Sequence, residues 1–432
     1  MLKNSKLIAI TFVIILSFVV VGNISVVQAN DKVELRISWW GSEARHNATL
    51  EAIDLYEELN PNVKITPEYQ GWDGYRNKLI SQVTAGNAPD IFTTIMEWYP
   101  ELIKVEAMVD LTGMLDVSGH NPMYVEACSM NGKMYGVNLS TNALAIYQND
   151  TVLEKYGIEP LQSPFTWDDY AAKLQEVYDK SGGEVYGGPD WTTVNQGMGF
   201  DIFSYYGRTK LGVEGPYPFN NETYTFNGEQ LEDFLKFFAD MREVNAVAPA
   251  EMSSINDASA NSLLLQRKAA YEMNYTGGFA NYQNQTTDDL SLLPFPEGDN
   301  GETGDLARPG LIFSVAKNSK NKEEAAKFIE WFTTSPEAAM ILKTARGVLP
   351  TEEQRRALVE AEGILSPVDK KIMKAVDLVL KRDLRLAYSG PEGFAELSSS
   401  VFPEYGQMIA YDYMTIDEAV RELMNEVENM GN

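Results

Sequence analysis

The stretch RISWWGSEARHNATLEAIDLYEELNP, residues 36–61, decides the fold class because its pattern changes at the middle. Residues 33–38 alternate apolar and polar side chains, which predicts a strand, whereas the apolar residues of 49–59 fall on one helical face before Pro61. The turn between them carries two adjacent tryptophans, a glutamate and an arginine, where small polar residues would suffice. Ligands of open α/β sheets bind at the carboxyl ends of strands, so this turn predicts a binding site. The alternative is one core tryptophan with solvated charges beside it.

The residues that follow repeat this alternation of strand and helix. NVKITPEY (62–69) and DIFTTI (90–95) have the apolar pattern of strands, and a helix is predicted between them from 75 to 85. Strands that alternate with helices at this spacing form right-handed βαβ units with a parallel sheet. The first part of the chain is therefore predicted to be an α/β lobe.

A long extended run follows a hairpin turn at Asn131-Gly132 and continues to about residue 150. Its centre, residues 138–142, is polar, which is compatible with a strand that crosses between two lobes. Farther on, Thr166 begins a helix as its N-cap, with Asp169 completing a capping box. Residues 296–310 are glycine-rich and acidic, which predicts an exposed loop. Further helices are predicted at 229–244, 321–334, 335–344, 351–362, 366–381 and 415–429.

The beginning of the chain has the order of an export signal. Lys3 and Lys6 precede an apolar run, and VVQA precedes Asn30, so residues 1–29 are predicted to be a signal peptide cleaved after Ala29. The alternative is an uncleaved anchor, because the apolar stretch is almost long enough to span a bilayer. No cysteine lies near this point, which excludes a lipid-modified N-terminus.

Length and charge narrow the function classes. A chain of 432 residues is long enough for two or three folding units. Its net charge of −27 repels phosphate backbones and anionic lipid, so no nucleic-acid partner is expected and no basic patch that binds membranes. Cys128 is the only cysteine, which excludes an intramolecular disulfide and predicts a small buried residue.

The sequence lacks the motifs of familiar covalent and nucleotide chemistry. There are two histidines, His46 and His120, and neither their spacing nor the single cysteine suits a zinc site. No G-x-S-x-G motif, Walker loop or dinucleotide-binding loop occurs. No cofactor, no metal and no enzymatic activity are therefore expected. Glycoside hydrolysis by a pair of carboxylates remains an alternative, because the distance between acidic residues cannot be read from sequence.

Aromatic and polar residues are instead concentrated at the ends of predicted strands. A ring offers a flat face to the C–H surface of a sugar, while carboxylates, amides and guanidinium groups bind its hydroxyls. The alternative for each tryptophan in these clusters is packing in a core. Two other tryptophans, Trp167 and Trp331, are expected to lie in the core. The clusters are Trp39-Trp40, Trp72-Asp73, Glu97-Trp98, Asp190-Trp191 and Asn274 to Phe279. They favour ligand binding over catalysis.

In their order and spacing, several segments resemble the extracellular solute-binding proteins of ABC importers, in particular the carbohydrate-binding group that includes maltodextrin-binding proteins. Phe279 stands where that family usually has a tryptophan, and Asn138 stands where proline is common. The segments are WWGSEARHNATLEAIDLYEELNPNVKI, YRNKLISQVTAGNAPDIF, NGKMYGVNLSTNALAIYQND, SPFTWDDYAAKL, RKAAYEMNYTGGFANY, LLPFPEG and FSVAKNSKNKEEAAKFIEWFTTSPEAA with GVLPT.

The resemblance implies an α/β fold of the type II periplasmic-binding-protein kind, with two lobes that each hold a mixed sheet flanked by helices. Crossover hinge strands join the lobes near Thr141 to Ala143 and near Ala307 to Gly310. The implied division is a signal peptide (1–29), a first N-lobe segment (30–142), a first C-lobe segment (143–306), a second N-lobe segment (307–351) and a second C-lobe segment (352–432).

The resemblance also implies a function. The protein would be a monomeric periplasmic, secreted or surface-displayed receptor that closes on an oligosaccharide by hinge bending and delivers it to a membrane permease. A binding protein for a peptide or polyamine and an extracellular carbohydrate-active enzyme are the alternatives. With the aromatic clusters, the resemblance gives these candidate ligand-binding residues: Trp40, Glu43, Arg45, Trp72, Asp73, Glu97, Trp98, Thr141, Asp190, Trp191, Asn274, Gly278, Phe279 and Arg308.

Overall fold

The computed structural model describes residues 32–195, 197–214, 217–220, 222–257, 259–388, 390–391 and 393–430. The predicted signal peptide lies outside the described residues. Within the described ranges, no helix combines the length and the apolar character needed to cross a membrane.

The strands are short, and they fall in two groups separated by long helical segments. They are β1 Val33–Trp40, β2 Val63–Gln70, β3 Ile91–Thr94, β4 Ser129–Met130, β5 Lys133–Met134, β6 Val137–Asn142, β7 Leu144–Asn149, β8 Tyr271–Tyr275, β9 Leu290–Pro294, β10 Leu306–Val315 and β11 Arg385–Leu386.

The helices are α1 Glu43–Leu59, α2 Tyr75–Thr84, α3 Tyr99–Lys104, α4 Pro122–Ala127, α5 Asp150–Lys155, α6 Trp167–Lys180, α7 Met198–Thr209, α8 Gly228–Glu243, α9 Ala250–Ser253, α10 Phe279–Asn284, α11 Lys322–Thr334, α12 Pro336–Leu342, α13 Glu352–Glu360, α14 Pro367–Leu380, α15 Phe394–Glu396, α16 Phe402–Ala410 and α17 Ile416–Met430. Short 3₁₀ turns occupy Met96–Trp98 and Thr276–Gly278, and a π-helical segment, Leu397–Val401, joins α15 to α16.

The first sheet has the order β11-β10-β3-β1-β2, and β6 also pairs with β10. β1 is parallel to both β2 and β3, as the strand and helix alternation predicts. β10 runs antiparallel to β3 and β6, which makes the sheet mixed. We call this sheet and the helices packed on it the first lobe. The predicted α/β fold class is confirmed.

The second sheet contains three strands in the order β8-β7-β9, all antiparallel. Only Ala143 separates β6 of the first sheet from β7 of the second. The long extended run therefore passes from one sheet to the other, and β10 provides a second connection. We call the second sheet, with α7, α8 and α17, the second lobe.

The exact division into lobes remains our proposal, with one change. Helix α13 packs on α11 and α12 of the first lobe, and Leu358 of α13 lies in the same core. Helix α14 packs on β9 and α10 of the second lobe. We therefore place the third connection after residue 360, whereas the sequence placed it at 351. The later strand β11 still pairs with β10 at the edge of the first sheet.

Most of the predicted helices are present within one or two residues, and the capping box of Thr166 and Asp169 is formed. Helix α1 begins six residues before the predicted start, because the Ser42 hydroxyl accepts a hydrogen bond from the Arg45 backbone N–H and caps the helix there. Helix α7 was not predicted. Every residue of α7 except Asp201 is buried, although Asp201, Ser204 and Arg208 recur at helical spacing, so the sequence held a signal for this helix that the prediction did not use.

Two smaller expectations hold only in part. The loop predicted at 296–310 ends at Asp305, which is fully buried, and the remaining residues begin β10. Trp331 is half-buried and packs beside Tyr56 with ring centroids 5.1 Å apart. Trp167 does lie in a core, where its indole N–H donates to the Thr209 hydroxyl at 2.7 Å. Cys128 is fully buried, as predicted, and burial raises the pKa of its thiol.

Candidate functional site at the junction of the lobes

An aromatic cluster forms where β1, β2 and β3 end. Because these strands are parallel, the loops after them meet at one edge of the sheet. The ring centroid of Trp40, at the end of β1, lies 5.1 Å from that of Trp72 and 5.4 Å from that of Trp98. Trp72 is stacked on Trp98 with ring centroids 5.7 Å apart. Tyr75 supports the cluster from α2, 5.0 Å from Trp40. Three of the predicted tryptophans therefore come together.

The members of this cluster differ in exposure. Trp40 and Trp98 are each only 6 % exposed, whereas Trp72 is 54 % exposed. The adjacent Trp39 points to the other side of the sheet, where it is fully buried and donates to Nδ1 of His46 at 3.1 Å. The tryptophan pair of the opening stretch is thus divided by the strand alternation, with one ring in the core and one in the cluster.

An ion cluster lies next to Trp98. The guanidinium group of Arg308, on β10, donates to Glu97 through Nη2 and to Asp201 through Nη1. Asp201 also accepts a hydrogen bond from the Tyr275 hydroxyl at 2.6 Å, and the Tyr275 ring centroid lies 5.5 Å from Cζ of Arg308. Glu97 follows β3 in the first lobe, whereas Asp201 and Tyr275 belong to α7 and β8 of the second. Arg308 therefore bridges the two lobes.

This ion cluster is largely shielded from water. The side chains of Glu97 and Asp201 are 11 % and 12 % exposed, and that of Arg308 is 26 % exposed. Burial alone would lower the pKa of Arg308, but the two carboxylates raise that pKa well above its ordinary value. Arg308 is accordingly a permanent cation with two charged partners.

The crossing strands approach each other closely just behind this cluster. A Cβ atom on Gly310 would lie 2.8 Å from Nδ2 of Asn142, and one on Gly277 would lie 2.6 Å from Oδ1 of the same residue. Glycine is required at both positions because any side chain would displace Asn142. The predicted hinge residue Thr141 is buried, and its backbone N–H donates to Val348 at 2.7 Å.

Several other predicted residues lie in or beside this region. Arg45 folds back over Gly41 and donates to the Trp40 carbonyl at 3.2 Å, while burial lowers its pKa to about 10. Glu43, at the start of α1, and Asp73, beside Trp72, are exposed.

Asn274 and Gly278 lie close to β8 in the second lobe. The side-chain N–H of Asn274 donates to the Tyr282 hydroxyl at 3.3 Å. A Cβ atom on Gly278 would lie 3.1 Å from the Tyr147 hydroxyl. Both residues are half-buried.

Three predicted residues lie inside the second lobe instead. Asp190 is fully buried, forms an ion pair with Arg242 and accepts the Thr192 N–H at 3.0 Å. Trp191 is 2 % exposed and packs in the core of that lobe. Phe279 is fully buried and packs edge-to-face on Tyr147 at 5.1 Å. Protein contacts account for the side chains of Asp190 and Phe279, whereas the buried indole N–H of Trp191 has no hydrogen-bond partner among the described residues. For all three, a role in binding a ligand stays a prediction.

Two members of the ion cluster, Asp201 and Tyr275, were missed from the sequence. Asp201 is the one acid in the apolar run MGFDIF, and a charge in such a run is a signal that a buried partner exists. Tyr275 stands next to Asn274, in a segment that the sequence did single out.

The cavities beside the ion cluster are small. One of about 20 Å³ is lined by Asp201, Arg308 and Tyr388, among others, and one of about 70 Å³ is lined by Met96 and Tyr388. Ligand pockets are typically about 300–1,000 Å³. An oligosaccharide would therefore need a wider separation of the lobes than this arrangement provides. A groove of about 740 Å³ lies elsewhere, between α8 and the α16–α17 connection, and none of the predicted residues lines it.

The histidines offer no metal site. Burial lowers the pKa of His120 to about 4, and the pKa of His46 is lowered by burial and by Arg45. Across the described ranges of the chain, no group of three or more histidine, cysteine, aspartate or glutamate side chains is placed to hold a metal ion.

Comparisons with known proteins give consistent similarities. Residues 40–339 match the sequence profile of a family described as bacterial extracellular solute-binding protein. The chain is similar to the arabinooligosaccharide-binding protein of Bacillus subtilis (strain 168), with 22 % identity over 367 residues that cover 81 % of each chain.

Solved structures are similar over almost the whole chain. A periplasmic solute binding protein from Pectobacterium atrosepticum has a TM-score of 0.80 at 21 % identity, covering 92 % of this chain and 98 % of that one. A periplasmic oligogalacturonide binding protein from Yersinia enterocolitica has a TM-score of 0.74 at 24 % identity, covering 93 % and 100 %. At these identities the likeness shows the fold, which is that of type II periplasmic solute-binding proteins.

Proposed function

This chain belongs to the bacterial extracellular solute-binding protein family, and on that basis we propose that it is the substrate-binding subunit of an ABC importer. It captures an oligosaccharide between its two lobes and delivers it to the membrane permease. The members of the family are binding proteins, and we propose that this chain likewise catalyses no reaction.

The observation that carries this proposal is the exposed aromatic cluster beside an ion cluster at the junction of the lobes. Trp72 presents an accessible ring, supported by Trp40 and Trp98, to which the apolar face of a sugar can stack. The carboxylate of Glu97 retains lone pairs that can accept sugar hydroxyls. This is the combination of flat apolar surface and directed acceptors that a neutral sugar requires.

The relatives support a carbohydrate ligand. The Bacillus subtilis relative is named for arabinooligosaccharides, and the Yersinia enterocolitica structure is named for oligogalacturonides. For this chain, the contact residues we propose first are Trp72, Trp98, Glu97 and Arg308. The remaining predicted residues on the two lobes stay as secondary candidates.

The enzyme alternative needs a carboxyl group that donates a proton and a second carboxylate opposite it. Both carboxylates of the ion cluster pair with the same guanidinium, which orients them toward Arg308 and not toward opposite sides of a sugar bond. This arrangement favours a receptor over a glycosidase.

The family is extracellular, which supports export of the chain. We propose that residues 1–29 are removed after Ala29, with an uncleaved anchor as the alternative. We further propose that the mature protein is a periplasmic or cell-surface monomer that contacts a permease, and that it binds no nucleic acid.

Titration of the purified protein against a panel of oligosaccharides tests the function. At least one sugar should raise the melting temperature in proportion to RT ln(1 + [L]/Kd), and chromatography should recover that sugar unchanged. Peptides and polyamines form the second panel. If only peptides or polyamines bind, the ligand is another solute and not a sugar. Release of shortened sugars would contradict the receptor function.

A further inference from the structure

Arg308 is shared by carboxylates from different lobes, and the capture of a sugar does not by itself require that contact. We infer that Asp201 and Tyr275 are positioning residues for ligand capture: with Glu97 they hold Arg308 as a clasp across the lobes, and this clasp sets how readily the protein closes. The effect on sugar affinity rests on the proposed function, whereas the effect on molecular shape does not.

The position of Arg308 makes the contact sensitive to lobe rotation. Arg308 lies opposite Asn142 in the pairing of β10 with β6, at the point where the chain passes between the sheets. Its two terminal nitrogens are used by different lobes, Nη2 by Glu97 and Nη1 by Asp201. Rotation that separates the lobes moves the two carboxylates apart, and one guanidinium can follow only one of them. Opening therefore breaks at least one ion pair.

Tyr275 fixes the second-lobe half of the clasp. Its hydroxyl occupies Oδ2 of Asp201 at 2.6 Å, which leaves Oδ1 directed at Arg308. Its ring lies against the guanidinium at 5.5 Å, where a cation is attracted to the aromatic face. Its backbone carbonyl accepts the hydroxyl of Tyr147, which ties the residue to β7. Tyr275 thus orients Asp201 and packs against Arg308 at the same time.

The cavities beside the ion cluster are about 20 and 70 Å³, so the arrangement with the clasp formed leaves no room for an oligosaccharide, and the lobes must separate before one enters. The apparent affinity equals the intrinsic affinity multiplied by the fraction of molecules in the competent state. Loosening the clasp raises that fraction and speeds the entry of a sugar. The same residues would have no such effect if they only stabilised the fold.

The chain contains a matched cluster that separates these two roles. Arg382 donates to Glu297 at 2.7 Å and to Asp305 at 3.2 Å, and Asp305 accepts the Tyr205 hydroxyl at 2.9 Å. All four residues belong to the second lobe or its margin. Asp305→Asn therefore repeats the chemistry of Asp201→Asn without touching the contact between the lobes.

The test is small-angle X-ray scattering of the full mature chain without any sugar, for the wild type, D201N, Y275F and D305N. D201N should have a larger radius of gyration than the wild type and Y275F a smaller increase, while D305N should match the wild type. Y275F removes only one hydroxyl, so it remains informative if D201N fails to fold. A D201N or, in its absence, Y275F profile identical to the wild type would overturn the clasp, as would an equal expansion in D305N.

Stopped-flow measurements with the sugar that binds the wild type best supply the second reading. D201N should strengthen affinity about tenfold and Y275F about threefold, mostly through faster association, and with saturating sugar the radii of the wild type and both variants should be equal. Unchanged association rates in both variants would contradict the inference. If no sugar binds the wild type, the proposed function fails, and the scattering comparison still decides the clasp.

Discussion

The clusters around Arg308 and Arg382 contain the same four side chains in different places. Each has an arginine between two carboxylates, with a tyrosine hydroxyl on the aspartate. The Arg308 cluster joins the lobes, whereas the Arg382 cluster lies within or beside the second lobe. The aspartate is 12 % exposed in the first cluster and not exposed in the second, and the glutamate is 11 % exposed in the first and 21 % in the second. The comparison shows that one ionic motif can serve either shape or stability, according to whether its members move together.

The largest effect is expected from Asp305→Asn, which tests whether the Arg382 cluster stabilises the fold. Burial raises the pKa of Asp305 while Arg382 lowers it, so the carboxylate depends on its partner. In Asp305→Asn, Arg382 keeps its ion pair with Glu297, but the hydrogen bonds from Arg382 and from the Tyr205 hydroxyl lose their charged acceptor, and we expect a loss of about 1–3 kcal/mol in the free energy of unfolding. Urea denaturation measures it.

Asp377→Asn is the control for that measurement. Asp377 pairs with Arg355 at 3.6 Å and is 46 % exposed, so its replacement should change stability by less than about 1 kcal/mol. Equal losses for the two substitutions would show that burial of the Arg382 cluster does not matter.

Trp72→Ala tests whether the region beside the Arg308 cluster binds sugar. Because the ring is 54 % exposed, its removal should cost the free protein little stability, about 1 kcal/mol or less. The lost stacking and burial on sugar should weaken binding about tenfold, which corresponds to ~1.4 kcal/mol. Calorimetric titration and thermal unfolding of the same samples give both values.

Trp331→Ala provides the matched variant, since Trp331 is another half-buried tryptophan of the first lobe that packs on Tyr56 far from the ion cluster in sequence. It should lower stability and leave sugar affinity unchanged. Unaltered affinity in Trp72→Ala would remove this ring from the proposed site.

Glu272 extends the comparison to a buried carboxylate without an arginine. It accepts hydrogen bonds from Asn256 at 2.9 Å and Tyr282 at 3.4 Å, and its Oε2 has no hydrogen-bond partner in the part of the chain that is described. Burial raises its pKa from 4.5 to about 8. Between these values the folded protein binds the proton more tightly than the unfolded chain does, so this group makes stability fall as pH rises from about 4.5 to 8.

The slope from this one group is at most about 1.4 kcal/mol per pH unit. Glu272→Gln should remove it, which denaturation at several pH values will show as a gain of the variant over the wild type that grows toward pH 8. A constant difference between the two proteins across that range would contradict the burial argument.

The sequence predicted those parts whose pattern is local. Residues 33–95 were assigned as strands and helices because alternation and helical period change within a few residues, and parallel strands then place Trp40, Trp72 and Trp98 at one edge. The pairing of β10 with β3 and β6 was not predicted from the pattern, because nothing in a strand states which distant strand it joins.

The sequence also did not predict the direction in which individual side chains point. Asp190-Trp191 and Trp72-Asp73 look alike in sequence, but Trp191 points into a core and Trp72 into solvent. Asp201 was missed because its partner Arg308 lies 107 residues away in the chain, although Asp201 stands at helical spacing from Ser204 and Arg208. Long-range ion pairs leave no periodic trace, so only the folded structure brings Glu97, Asp201 and Arg308 together.

During synthesis the ribosome releases β3 and β6 long before β10, the strand that pairs with both. About 220 residues separate Thr94 from its partner Ile312. At translation rates of about 5–20 residues per second, the two strand edges wait roughly 10–40 s for that partner. Unpaired edges readily bind other chains, so both edges are exposed to such pairing for that time. For a member of an extracellular family, that delay leaves time for the chain to cross a membrane before its first lobe can fold.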